Sequence, residues 1–193
     1  MNIFVGGVNG VGKSTILRKV ANLDSRFEVI HYASALMQQL GLAPGDYDSL
    51  HTIPQAKRLA VTQQMMENLA ERRTQKVRLI DGHYLILVKG VISPIAGDWV
   101  KLLDALILIK AAPQVILDRI QKDEGWRDRE LFTPEMSDQD CQALLADYGR
   151  QTEAEFDQLT QQFPIDHFIL EHSDDDVERA AHQIINFANQ LLA

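Results

Sequence analysis

Gly7-Val-Asn-Gly-Val-Gly-Lys13-Ser14 matches the spacing G-x-x-x-x-G-K-[ST] without a mismatch. Each position has a chemical reason. Glycines let the backbone wrap a phosphate with several N–H groups pointing inward. Lys13 adds a flexible positive charge for the outer phosphates, and the Ser14 hydroxyl can take a position on Mg²⁺. A helix starting near Lys13 contributes the positive end of its dipole. The phosphate-binding set is therefore Gly7, Val8, Asn9, Gly10, Val11, Gly12, Lys13, Ser14 and Thr15, with ATP as the ligand. A chance match in a chain of this length is roughly a 1% event at average residue frequencies.

Such a cradle needs a carboxylate at the tip of a neighbouring strand to hold Mg²⁺. Val77-Arg-Leu-Ile-Asp81 supplies one, ending an apolar run just before Gly82. Ser14 and Asp81 are thus the expected metal side, and Asp104, which precedes a strand instead of ending one, is the poorer choice. His83, two residues on, reads equally as an acceptor or water contact and as a packing residue.

Phosphoryl transfer spreads negative charge over oxygens, and positioned cations stabilise it. Arginine suits the task because its planar fork grips phosphate at two points. Arg119, Arg127 and Arg129 are the candidates, the last two within Gly125-Trp-Arg-Asp-Arg-Glu. Their bland reading is a solvated cluster with Asp123, Glu124, Asp128 and Glu130. The polar, glycine-containing stretch reads instead as a lid over 123–139, which excludes water and completes the site on closing. The catalytic set read from the sequence is Lys13, Asp81, Arg119, Arg127 and Arg129.

The elements that must position these groups are visible as patterns. Short apolar runs mark strands at Ile3–Val5, Glu28–Tyr32, Val77–Asp81, Ala105–Lys110 and His167–Glu171. Helical patterns fall between them at Lys13–Leu23, Ala33–Leu40, Pro54–Arg73, Pro113–Lys122, Ser137–Thr160 and Asp174–Leu192. Two open with proline in the first turn and one with three aspartates, which suit helix N-termini. Alternation of this kind predicts an α/β fold with a parallel sheet covered on both faces. Gly41–Ile53 and Asp123–Gln139 are poor in core residues and are expected to be mobile loops over the site.

At 193 residues, with 46% hydrophobic and 24% charged, the chain reads as one globular domain over 1–193. The formal charge of −8 comes from 27 acidic and 19 basic residues and disfavours nucleic acid as a partner. Met1-Asn-Ile-Phe-Val-Gly-Gly has no secretory pattern, and no apolar run is long enough for a membrane span. The single Cys141 forms no internal disulfide and reads as a small apolar filler. A cytoplasmic protein that meets small nucleotides, without membrane contact, is the expectation. A protein partner is not indicated.

With cradle, Asp81 and arginines placed, the chain resembles the P-loop nucleoside monophosphate kinases, most closely the archaeal-type adenylate kinases, from Met1 to about Thr160. The resemblance rests on the P-loop, on Asp81-Gly-His83, on Ala111-Ala-Pro113 leading into the helix of Arg119, and on Arg127-Asp-Arg129. It implies a three-layer P-loop fold with a five-stranded parallel sheet and a short lid. It also implies an acceptor-binding helical region over 41–73, and transfer from Mg²⁺-ATP to AMP. The chain departs from the family in its acceptor region. Gly45–Ile53 carries no arginine and Asp81-Gly-His-Tyr-Leu85 has none either; Lys57 and Arg58 could substitute, but a Lys-Arg pair on a helix is more often solvent-facing.

Two other functions fit the same residues. One is a kinase of another small acceptor, an alcohol or sugar acid, with His83, Asp46 or Asp48 as general base. The other is a nucleotide-binding switch or slow ATPase that acts through a protein met by the acidic helix 139–162. GTP is disfavoured because no Asn-Lys-x-Asp motif occurs.

Overall fold

Asn2-Ile-Phe-Val-Gly6, Val77-Arg-Leu-Ile-Asp81 and Ala105-Leu-Ile-Leu-Ile-Lys110 are nearly continuous apolar runs, the pattern of strands covered on both faces. They form β1 (Asn2–Gly6), β3 (Val77–Asp81) and β6 (Ala105–Lys110), the centre of a five-stranded sheet completed by β2 (Phe27–His31) and β7 (Asp166–Glu171). This arrangement is a computed structural model, which describes all residues except 73, 89–90, 95–96, 123–130, 133–135 and 174–175. The sheet order is β2-β3-β1-β6-β7, and every pairing is parallel.

The helices are α1 (Lys13–Leu23), α2 (Tyr32–Gln39), α3 (Tyr47–Thr52), α4 (Gln55–Glu71), α5 (Pro113–Lys122), α6 (Asp138–Gln162) and α7 (Val177–Leu192). Strand alternation divides their packing. Ile3, Val5, Leu79 and Ile107 point into one core with α1, α7, α5 and the first half of α6. Phe4, Ile80, Leu106 and Leu108 point into the other, with α2, α4 and the end of α6. The result is the expected three-layer sandwich. Phe4 centres the second core, its ring 5.3 to 6.3 Å from those of Trp99, Tyr84 and Tyr32. Phe4→Ala would cost about 3–5 kcal/mol.

Three elements were not expected. Gly41–Ile53 is not a bare loop, since Tyr47–Thr52 forms α3, with the Asp46 side chain accepting from Ser49 N–H at 3.1 Å. A hairpin of β4 (Leu85–Val88) and β5 (Val91–Pro94) follows β3. A 3-10 turn, Asp98–Leu102, then leads into β6. The stretch 123–139, expected to be a lid, lies largely outside the described residues; at its end Ser137 and Asp140 form a reciprocal capping box that starts α6. Those hydrogen bonds from Ser137 hold the Asp140 carboxyl below its usual range. No helix among the described residues is long and apolar enough to cross a membrane.

Candidate functional site

The carboxyl ends of β1 and β3 lie side by side, with Val5 in register with Asp81. β1 is also where the sheet order changes direction, the position where open α/β sheets place their ligands. The chain leaves β1 through Gly7–Gly12 and enters α1. Gly12 caps α1 at φ 101°, and no side chain caps that end. There is also no acidic residue in the first turn. A helix normally satisfies its first N–H groups with Ser, Thr, Asp or Asn; here that end is left to an incoming anion. Gly10 also has positive φ, and a Cβ there would sit 2.6 Å from the Ile120 side chain. Neither position accepts a side chain without strain.

Lys13 is buried, and its Nζ donates to Gly7 O at 2.9 Å and Val8 O at 3.2 Å. The ammonium therefore sits at the mouth of its own loop. Ser14 Oγ donates to Asp81 Oδ2 at 2.8 Å. His31, at the tip of β2, places Nδ1 3.2 Å from the same oxygen. Asn9 is half-buried in the turn and Thr15 is exposed, its N–H bonded to Gly12 O.

His83 Nδ1 lies 2.7 Å from Gly7 O and 3.4 Å from Lys13 Nζ. A carbonyl can only accept, so the shorter contact assigns the proton to Nδ1. His83 thus braces the phosphate loop, the role the sequence left open between contact and packing. Tyr84 explains why it stands there. Its buried hydroxyl donates to Ile107 O at 2.9 Å, and its ring occupies the space a Cβ on Gly6 would need. Burial pushes the Tyr84 hydroxyl well above its ordinary value and keeps it a neutral donor. Sequence reasoning missed Tyr84; the glycine before the loop was its only trace.

Arg119 NH1 donates to Val11 O at 3.0 Å and to His172 O at 3.2 Å. It ties the phosphate loop to the connection after β7, beside Gly12, where a Cβ would meet the His172 ring at 3.2 Å. Arg127 and Arg129 lie outside the described residues. Asp104 accepts from Asn2 N–H at the other end of the sheet. Asp46 caps α3, and the bonds from Ser49 hold its carboxyl below the usual range; Asp48 is exposed in the first turn of the same helix. Lys57 is exposed, but Arg58 is half-buried, a correction to the solvent-facing pair. It lies one turn before Thr62, on the face of α4 that carries buried Thr62, Met65 and Met66.

The donor set fits magnesium. A hydroxyl and a carboxylate 2.8 Å apart are hard oxygen ligands beside an anion site. Among the described residues there is no group of three or more His, Cys, Asp or Glu that could hold a metal ion by itself. A cavity of about 400 Å³ beside Met1, Arg72, Arg78 and Leu192 lies at the opposite end of the sheet. Its Arg78 is spent on Glu28 and on the carbonyls of Leu69 and Arg72 that close α4.

Phosphate loop, switch-point position and strand-tip carboxylate together define a P-loop nucleotide-binding protein. Residues 6–138 match the family model described as AAA domain, so the chain belongs to that family. A search of curated proteins found no match. Among solved structures, the fold is similar to a shikimate kinase from Bacteroides thetaiotaomicron, with a TM-score of 0.64, 15% identity and 98% of both chains covered. It is also similar to a shikimate kinase from Acinetobacter baumannii in complex with shikimate, with a TM-score of 0.63 and 16% identity over 98% of this chain and 93% of that one.

Proposed function

We propose that the protein is a kinase that moves the γ-phosphoryl group of Mg²⁺-ATP to a small acceptor, with AMP as the first candidate. The observation that carries this is the Ser14–Asp81 pair, 2.8 Å apart beside the Lys13 ammonium. An uncapped helix start and a buried lysine bind the phosphates; the carboxylate and hydroxyl hold the cation. Bound there, magnesium would neutralise phosphate charge. Lys13 meets the outer phosphates, His83 fixes the Gly7 carbonyl, and Arg119 holds the loop at Val11. Arg127 and Arg129 are assigned to charge neutralisation from the sequence alone. Positioning and fixed charge account for the rate, with no covalent intermediate.

AMP is supported by the Asp81-Gly-His83 and Arg119 resemblance. A second reading, a hydroxy-acid acceptor such as the shikimate bound by one structural neighbour, is supported by the fold. That acceptor needs a base, and of His83, Asp46 and Asp48 only His83 stands at the loop. The deciding assay couples ADP formation from ATP to AMP, CMP, UMP, GMP and shikimate in turn. Transfer to none of these, or full ATP affinity in Lys13→Ala, would overturn the proposal.

A further inference from the structure

We propose that the cavity beside Val8 of the phosphate loop is a second binding site, and that its ligand is a small uncharged apolar ring. The inference goes beyond the kinase reading and does not depend on it.

The cavity has a volume of about 250 Å³ and lies where the end of β6 meets α5 and α6. Carbon lines its inner part, from Val8, Leu108, Pro113, Ile116 and Leu145. All of these but Pro113 are buried. The side chain that Gly149 lacks opens the space on the α6 side, since a Cβ there would meet nothing within 4 Å. Glycine inside a helix is disfavoured, and an unfilled space leaves its lining without partner atoms on one side. An occupant restores those contacts.

The mouth is polar, but its polar groups are already spent. Lys110 Nζ meets Glu153 at 2.9 Å and Glu171 at 3.3 Å. Arg150 donates to Asp147 at 3.0 Å, and Thr152 Oγ1 donates to Tyr148 O at 2.7 Å. A charged ligand entering here would exchange water for partners that are engaged elsewhere, at high cost. An apolar ligand loses no hydrogen bond and gains burial. Size sets the rest. Apolar cavities of about 150 Å³ stay dry and take up benzene, so this one suits a substituted ring or a fused pair such as indole.

The phosphate loop should register the occupant. Val8 lines the cavity, and its carbonyl accepts from Lys13 Nζ at 3.2 Å. A ring packed against Val8 holds that carbonyl in place, so ring and nucleotide tighten each other's binding by the same factor.

The probes are indole and two ions of similar size, benzoate and benzylammonium. Ligand-observed NMR on the full chain without nucleotide should show saturable binding of indole and none of the ions at equal concentration. Gly149→Leu fills the space from α6 and should weaken indole binding about tenfold or more, whereas Gly149→Ala, a single methyl, should weaken it less. Ala146→Leu, from the same wall, is a second filling variant, and thermal unfolding shows which of the two is folded. Calorimetric ATP titrations with saturating indole should give an affinity about fivefold higher than without it. No saturable indole binding, equal binding of the ions, or undiminished binding in a folded filling variant overturns the site. ATP affinity that indole leaves unchanged overturns its link to the loop. Indole binding that follows this pattern in a chain that binds no ATP upholds the site and overturns the kinase reading.

Discussion

Ser14 and Asp81 are 67 positions apart in the chain and joined by a 2.8 Å hydrogen bond at the head of the sheet. The contact follows from topology. Parallel pairing sets Val5 beside Asp81, and the loop after β1 drops the first turn of α1 over the end of β3. A strand order separating β1 from β3 would leave the hydroxyl and the carboxylate apart.

Because the two oxygens act together on one cation, their loss should not be additive. Asp81→Asn and Ser14→Ala are each expected to lower kcat/KM by about 10²–10³-fold, the usual cost of one preorganised polar group. The double variant should be little worse than the poorer single. Calorimetric ATP binding across a magnesium titration is the direct check, with both variants needing more Mg²⁺ for half-saturation. Unchanged magnesium dependence in Asp81→Asn would remove that residue from the metal side.

Arg119 spans two carbonyls on different elements, Val11 O and His172 O, and the role we propose for it is to position the loop. Arg119→Ala should raise the KM for ATP about tenfold, because a loop that must be ordered on binding loses affinity. The effect on kcat should be small. Arg119→Lys keeps the charge but not the two-carbonyl bridge, so it should resemble Ala more than wild type. A large fall in kcat at unchanged KM would instead place the guanidinium on the phosphoryl group in transfer.

Three of the four tyrosines, Tyr32, Tyr84 and Tyr148, have hydroxyls pushed above the ordinary value of 10.0, chiefly by burial. The folded state thus holds these protons more tightly than the unfolded chain. Above about pH 10 the unfolded state binds fewer protons, so stability falls as pH rises through that window. Below it the contribution is fully present. Absorbance at 295 nm should show these phenols ionising late and together with loss of near-ultraviolet circular dichroism. Tyr84→Phe removes the bond to Ile107 O and should cost about 1–2 kcal/mol. Ionisation of all three at ordinary pH in the folded protein would contradict their burial.

The phosphate loop and Asp81 were legible because their chemistry depends on residue types at fixed short spacing, and backbone geometry allows few substitutes. The sheet was legible because strands covered on both faces read as unbroken apolar runs. The hairpin at Leu85–Pro94 was not, since Leu-Ile-Leu-Val follows a strand and carries no turn signal of its own before Lys89-Gly90. The half-burial of Arg58 was not legible, because a Lys-Arg pair on a helix looks solvated until the neighbours of α4 are known. The face shared with Thr62, Met65 and Met66 turns one of the two inward. His31 and Tyr84 act through partners distant in sequence, a relation that local pattern does not encode.

Gly149 lies inside α6, away from either end, where glycine is disfavoured relative to alanine. Its φ is not among the positive ones, and a Cβ there would meet nothing within 4 Å. It lines a cavity of about 250 Å³ shared with Val8, Leu108, Pro113 and Leu145. A methyl group therefore fits without displacing anything and removes backbone freedom from the unfolded chain. Gly149→Ala should stabilise the protein by about 0.5–1 kcal/mol, raising Tm by about 1–4 °C in a chain of this size. Kinetic constants should be unchanged, since the methyl stays clear of the loop backbone. Calorimetric unfolding decides the first point: a lower Tm would mean that the space beside Gly149 is already filled. A fall in ATP turnover at raised Tm would instead mean that the cavity must stay open for Val8 to move.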